Sequence, residues 1–315
     1  MGKIIDLFNK SKILITGGGG YLGSRLAERI CLYECEVFLL DINFNSISKS
    51  INKQYVNVIL IEIDLTDVNS ITKVCESIKP DYIYHFAASI NRDRDFNIYT
   101  ESYKINVEIL HNLLKALQNQ NYKGFYFSST SEVYGHSDNY PFYEDQNISP
   151  VSPYSLSKTM AEFFLSTFSK TYNKPFTILR VFNFFGPNQP SSTFIGEMIN
   201  SYLKEEVFHM SEGEQERDFI FIDELLDQIL HVSELKNRNE IYNLCSGKGT
   251  SLNEIVIEFK KNVKENFTVI NNLPYRKNEI MKIIGSNDKL LKTGYNSKVL
   301  NLKKALQKCL LAKEI

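Results

Sequence analysis

The run Lys12-Ile13-Leu14-Ile15-Thr16-Gly17-Gly18-Gly19-Gly20-Tyr21-Leu22-Gly23 decides how this chain folds. Ile13 to Ile15 are uniformly apolar with no polar alternation, which reads as a strand buried on both faces, the habit of a parallel sheet. The glycines end that strand, and Leu22, Ser24, Leu26, Ala27 and Ile30 then recur at helical spacing within a helix predicted over Tyr21 to Tyr33. Strand, glycine turn and helix N-terminus in this order cradle a pyrophosphate, because glycines allow close backbone approach and first-turn amides point at the anion. Gly17, Gly20, Tyr21, Leu22 and Gly23 are therefore expected to bind a dinucleotide.

Outward from this loop, short β-rich runs alternate with helix-length segments. Strands are expected at Lys12 to Thr16, Glu36 to Leu40, Val58 to Ile63, Tyr82 to Phe86, Gly124 to Ser128 and Thr177 to Val181. Helices are expected at Val68 to Ile78, Ile98 to Asn119 and Pro153 to Tyr172. Right-handed crossovers between such strands give an α/β fold with a doubly wound parallel, Rossmann-type sheet. After Asn183 the rhythm loosens around Pro187, Pro190 and Ser191 to Thr193. The expected division is a cofactor domain over 1–182 and a smaller C-terminal lobe over 183–218 and 247–315 that completes a cleft. The stretch 219–246 is expected to return to the main sheet through strand-like runs at Phe219 to Ile222 and Glu240 to Leu244.

Composition narrows the class. The chain has 315 residues, 43% apolar and 23% charged, with a net charge of -1. Those are the proportions of a soluble globular protein, and they give no reason to expect nucleic acid or a membrane surface as partner. No apolar run approaches the roughly 20 residues that span a bilayer, and Met1 to Lys12, which contains Asp6, does not read as a signal peptide, so a cytoplasmic location is expected. The cysteines at 31, 35, 75, 245 and 309 are odd in number and scattered, which argues for buried thiols and against disulfides. The histidines show no metal-ligand spacing, so no metal is expected; His85, at a strand end, is given a packing role.

Asp41 ends the second strand, where a carboxylate accepts hydrogen bonds from ribose hydroxyls and repels a 2′-phosphate. Neither Ile42 nor Asn43 supplies the arginine that NADP calls for, so NAD is expected. Asp64 and Leu65 after the third strand, and Phe86, Ala87 and Ala88 after the fourth, border the cofactor by position. Downstream lies Tyr154-Ser155-Leu156-Ser157-Lys158. Of 18 tyrosines only Tyr154 has a lysine four residues on, and that spacing puts both on one helix face, where the ammonium favours the phenolate. Lowering a phenol from about 10 to near 7 requires roughly 4 kcal/mol. The segment from Phe127 to Gly135 follows the fifth strand and brings Ser128, Thr130, Ser131 and Glu132 to the carboxyl edge of the sheet, where ligands bind in such folds.

With these motifs in this order, from Ile13 to about Leu306, the chain resembles extended short-chain dehydrogenase/reductases of the nucleotide-sugar epimerase/dehydratase family. The resemblance implies oxidation at C4 of a hexosyl unit, with Tyr154 as base, Thr130 bonded to the same oxygen, and Lys158 on the cofactor ribose. It also implies cofactor contacts from Asn43, Asn106, Ser128 and Val181, and substrate contacts from Ser89, Ser131, Asn183, Arg217 and Arg276. Phe208 is a candidate for the base pocket or for the core. Glu132 matches the base of the 4,6-dehydratases, whose neighbouring aspartate is replaced here by Ser131; a turn-capping role for Glu132 is the alternative. Thr130-Ser131-Glu132 leaves epimerase, dehydratase and decarboxylase open, alongside a dehydrogenase or ketoreductase that stops at one redox step, and a silent NAD-binding regulator. A homodimer through the Ile98 to Asn119 and Pro153 to Tyr172 helices is implied too.

Overall fold

The computed structural model describes residues 7–91, 93–235, 239–263 and 267–312; the first six residues of the Met1 to Lys12 segment lie outside this description. The chain divides into two compact units. The first holds the described residues up to Val133, with Pro150–Arg180 and Leu230–Tyr242. The second holds Tyr134–Ser149, Val181–Ile229 and the described residues from Asn243 onward.

The first unit is built on a seven-stranded sheet. Its strands are β1 (Lys12–Thr16), β2 (Glu36–Asp41), β3 (Val58–Glu62), β4 (Tyr82–His85), β5 (Gly124–Thr130), β6 (Thr177–Val181) and β10 (Glu240–Leu244), in the order β10-β6-β5-β4-β1-β2-β3. The pairs β1–β2, β2–β3, β1–β4 and β4–β5 run parallel. The order reverses between β1 and β4, the switch point outside whose carboxyl ends ligands bind in open α/β sheets. Leu14, Ile83, Phe125 and Phe127 from the strands pack with Ile71, Leu113, Ala161 and Leu165 from the Val68–Ile78, Ile109–Leu117 and Pro153–Tyr172 helices in one core. Each such leucine, isoleucine or phenylalanine side chain contributes about 1.5–3 kcal/mol by leaving water.

Helix ends follow local chemistry. The long helix Pro153–Tyr172 starts at Ser152, whose hydroxyl accepts from the Ser155 amide in a capping box, has Pro153 in its first turn, and stops at Asn173 with φ 51°. Asp67 caps Val68–Ile78 by accepting the Asn69 and Ser70 amides. The first helix ends at Ile30, three residues short of expectation. Ser46–Gln54 is a helix that the sequence pattern does not announce. The expected helix from Ile98 to Asn119 is two α-helices, Asn97–Tyr103 and Ile109–Leu117, joined by a π-turn at Lys104–Glu108.

Glu240–Leu244 returns to the main sheet, but the other run does not. The strand found there, β9 (Glu216–Phe221), pairs with β7 (Asn183–Phe185), β11 (Gly249–Ser251) and β13 (Lys282–Ile283) in a separate sheet of the second unit. A two-stranded sheet of β8 (Phe208–Met210) and β12 (Val269–Asn271) completes the strands of that unit. All five cysteines are buried free thiols. Among the described residues no helix is long and apolar enough to cross a membrane, and no His/Cys/Asp/Glu group could hold a metal.

Candidate active site

β1 delivers Thr16 to the switch point, and Gly17 turns there with φ +70°, a region L side chains rarely adopt. A Cβ on Gly17 would stand 2.6 Å from the Ala87 nitrogen, so the loops after β1 and β4 cross as bare backbones. The Gly19 position is tighter still, with an added Cβ 1.8 Å from the Asn43 carbonyl oxygen. The Tyr21–Ile30 helix begins at Gly20, with no capping side chain and no acid in its first turn. Its amide end thus keeps a positive field for an anion. Asp41 at the end of β2 accepts the Gly19 amide at 2.9 Å and the Ile42 amide at 2.8 Å. Backbone cradle, helix N-terminus and strand-end carboxylate together fit NAD.

The other expected cofactor residues divide by what their side chains do. Asn43 accepts the Phe44 amide. Asp64 accepts the Thr66 amide and hydroxyl, bonds that hold its carboxyl below the usual range, while the Leu65 side chain is buried in the core. Ala87 donates its amide to the Thr16 hydroxyl at 3.3 Å. Asn106 sits in the π-turn, buried, with both amide hydrogens donated: it accepts the Ser89 amide, and donates to the Ser89 carbonyl and the Ser157 hydroxyl. The wider turn aims an amide that ties the post-β4 segment to the long helix, a familiar use of π-bulges at functional sites. Ser89 in turn donates its hydroxyl to Glu101. Phe86 and Ala88 are half-buried and Val181 buried.

On the long helix Tyr154, Lys158 and Glu162 occur every fourth residue and share a face. Tyr154 is buried. Lys158, only 1% exposed, donates from Nζ to the Ser128 carbonyl at 2.8 Å, with Nζ 4.8 Å from the centre of the Phe127 ring. Burial pulls its pKa down to about 7, and the Glu162 carboxylate acts in the opposite sense. Two residues along β5, the buried Thr130 accepts the Glu132 amide. Ser131, also buried, opens the short 3-10 turn Ser131–Tyr134 that carries the half-buried Glu132. Ser128 also donates its hydroxyl to the His85 carbonyl. His85 is fully buried, bonded through Nδ1 to Thr16 and stacked on Phe127; burial, then the Lys158 charge, lowers its pKa to about 3, so it is neutral.

In the second unit Asn183 opens β7, half-buried. The Arg217 guanidinium donates to the Glu216 carbonyl and, at 2.5 Å, to Glu279, with which it forms an ion pair. Arg276 is exposed, three residues before Glu279. Phe208 is buried, its ring against Phe194 and Phe267. Glu279, Glu101 and the buried cluster of Glu162, Ser129 and Arg180 were not selected from sequence. For Glu162 a signal existed, since it continues the Tyr154–Lys158 stripe by one more turn.

A family model described as the NAD dependent epimerase/dehydratase family matches residues 13–245. A putative UDP-glucose 4-epimerase of Methanocaldococcus jannaschii is 28% identical, over 77% of this chain and 79% of that protein. The human dTDP-D-glucose 4,6-dehydratase is 29% identical, over 81% and 74%. Among solved structures, a UDP-glucuronic acid 4-epimerase from Bacillus cereus in complex with UDP-glucuronic acid and NAD superposes with a TM-score of 0.88 at 23% identity, covering 96% of this chain and 99% of that one. That likeness bears on the fold.

Proposed function

The chain belongs to the NAD-dependent epimerase/dehydratase family, and from that premise we propose that it oxidises the C4 hydroxyl of a nucleoside-diphosphate sugar with Tyr154 as the base. The observation that carries this reading is the shared helix face of Tyr154 and Lys158, with the ammonium anchored on Ser128 two residues before Thr130. In a dry site a nearby cation lowers the cost of the phenolate far more than in water. Tyr154 takes the C4 hydroxyl proton, Thr130 holds the same oxygen, and Lys158 binds the ribose of the cofactor. Gly17, Gly20, Tyr21, Leu22 and Gly23 hold its pyrophosphate, and Asp41 its adenosine ribose. Asn43, Asp64, Leu65, Phe86, Ala87, Ala88, Asn106, Ser128 and Val181 shape the rest of that surface. When bound, NAD supplies the acceptor for the C4 hydrogen. Ser89, Ser131, Asn183, Arg217 and Arg276 are assigned to the substrate, the arginines to its diphosphate, which suits their planar fork.

A 4-epimerisation would be completed by return of the hydrogen that NAD would hold to C4 on the opposite face of the keto sugar, with Tyr154 giving its proton back to the C4 oxygen. This is the preferred outcome because Ser131 offers a hydroxyl where an elimination requires an acid at the leaving group. Glu132, half-buried in the turn after Thr130, favours dehydration as the second reading.

The working form is proposed to be a cytoplasmic homodimer. Leu156, Met160 and Phe163 on the long helix, and Tyr99 and Tyr103 on the Asn97–Tyr103 helix with Phe96 at its N-cap, form exposed apolar stripes; Phe163 is 62% and Phe96 82% exposed. Such stripes on adjacent helices suit a second copy of the same pair.

Chromatographic separation of epimers, with product mass, after incubation with UDP-, dTDP-, GDP- and CDP-sugars tests the assignment. An isomer of unchanged mass is expected; loss of water would establish the dehydratase instead. No product from any sugar by a chain that retains NAD would refute the catalytic reading.

A further inference from the structure

Beneath the reaction strand lies a buried charge cluster that the chemistry above does not use. Glu162 sits one turn beyond Lys158 and is 5% exposed by its side chain; Arg180, on β6, is 3% exposed. Arg180 donates from Nε to Glu162 Oε1 at 3.1 Å and from Nη2 to Oε2 at 2.9 Å, and the Ser129 hydroxyl donates to Oε1 at 2.5 Å. Taking both ions out of water costs several kcal/mol each, and apolar side chains of similar volume often serve stability as well or better. Stability alone is therefore a weak account of this cluster.

Its register supplies a better one. Lys158 grips the carbonyl of Ser128, and Glu162, a turn later, grips the side chain of Ser129. Two turns of the long helix thus hold two consecutive residues of β5, and the next residue is Thr130. Glu162 is also an anion one turn from a buried ammonium, in surroundings too dry for much screening.

We propose that Glu162, clamped by Arg180, is a positioning residue for the Tyr154–Lys158 pair: it keeps Lys158 an ammonium and fixes the end of β5 that carries Thr130. This rests on the role given to that pair above. The titratable and charged groups facing Lys158 are Tyr154 and Glu162 on its own helix and His85 on β4, with Arg180 behind Glu162 on β6. His85 is neutral, burial and the nearby Lys158 charge holding its pKa near 3, and Arg180 opposes the ammonium. The Glu162 carboxylate favours it, as do the Ser128 carbonyl and the Phe127 ring.

The test is an NMR titration of lysine labelled with carbon-13 at Cε, on the chain without cofactor or substrate, the Lys158 signal being assigned by its loss in Lys158→Met. Glu162→Gln is expected to lower the Lys158 midpoint by about one pH unit or more, and Glu162→Asp to restore part of it. The double variant Glu162→Gln/Arg180→Met removes both members of the buried ion pair and is expected to shift the midpoint down by less. It carries the test should Glu162→Gln fail to fold. A midpoint unchanged in both would overturn the proposal. Because the titration requires no turnover, its failure leaves the proposed reaction standing, and an inactive enzyme leaves the titration interpretable.

Discussion

Lys158 reaches across from the long helix to donate its ammonium hydrogen to the Ser128 carbonyl at 2.8 Å. That bond places a nearly fully buried cation at the end of the strand that carries Thr130. Its folded pKa of about 7 lies below the unfolded value of 10.5. Between those values the folded state binds fewer protons than the unfolded one, so this group makes stability rise with pH from about 7 to 10.5. Lys158→Met removes that dependence. Its melting temperature, relative to the parent, is expected to be higher at pH 6 than at pH 9, although the enzyme is inactive. Equal differences at both pH values would show that Lys158 is not desolvated.

Replacing Tyr154 by phenylalanine deletes the proton acceptor and keeps the ring in its buried position. Turnover is expected to fall by about 10²–10⁴ or more, the usual worth of a positioned acid/base, with NAD affinity little changed. Calorimetric titration with NAD, alongside steady-state rates, separates the two.

The glycine loop gives a paired test. Gly19→Ala sets a methyl 1.8 Å from a backbone oxygen, where neither side yields cheaply, and is expected to weaken NAD binding by at least about tenfold, or about 1.4 kcal/mol. Gly294→Ala is the control. Its φ of +88° strains a side chain, but nothing lies within 4 Å, so it is expected to cost about 1–2 kcal/mol of stability and leave NAD affinity as it was.

Phe163→Glu places a charge in the exposed stripe of the long helix. Sedimentation is expected to show a dimer for the parent chain and a monomer for this variant. A parent chain that sediments as a monomer would remove the assembly from the account.

Much of this could be read without coordinates where one local rule governs. The β1 run with its glycines, and the Val68–Ile78 and Pro153–Tyr172 helices with their caps, declare themselves through periodicity and turn chemistry. Tyr154, Lys158 and Thr130 were legible because helix spacing and strand ends fix them. What escaped depends on partners far along the chain. Ser46–Gln54 buries only Ser48 and Ile51, too little to mark a helix. The π-turn at Asn106 keeps helical composition while changing the bonding, so periodicity passes over it. The destination of β9 depends on pairing with β7, β11 and β13, segments whose pairing no local pattern announces.

The central claim, removal of the C4 hydrogen as Tyr154 takes the hydroxyl proton, is tested most directly by rapid mixing of NAD-loaded enzyme with the accepted sugar nucleotide in ordinary and 4-deuterated form. The account predicts a rise in reduced-nicotinamide absorbance that is slower for the deuterated sugar and absent in Tyr154→Phe. Product formed with no such rise and no isotope effect would contradict it.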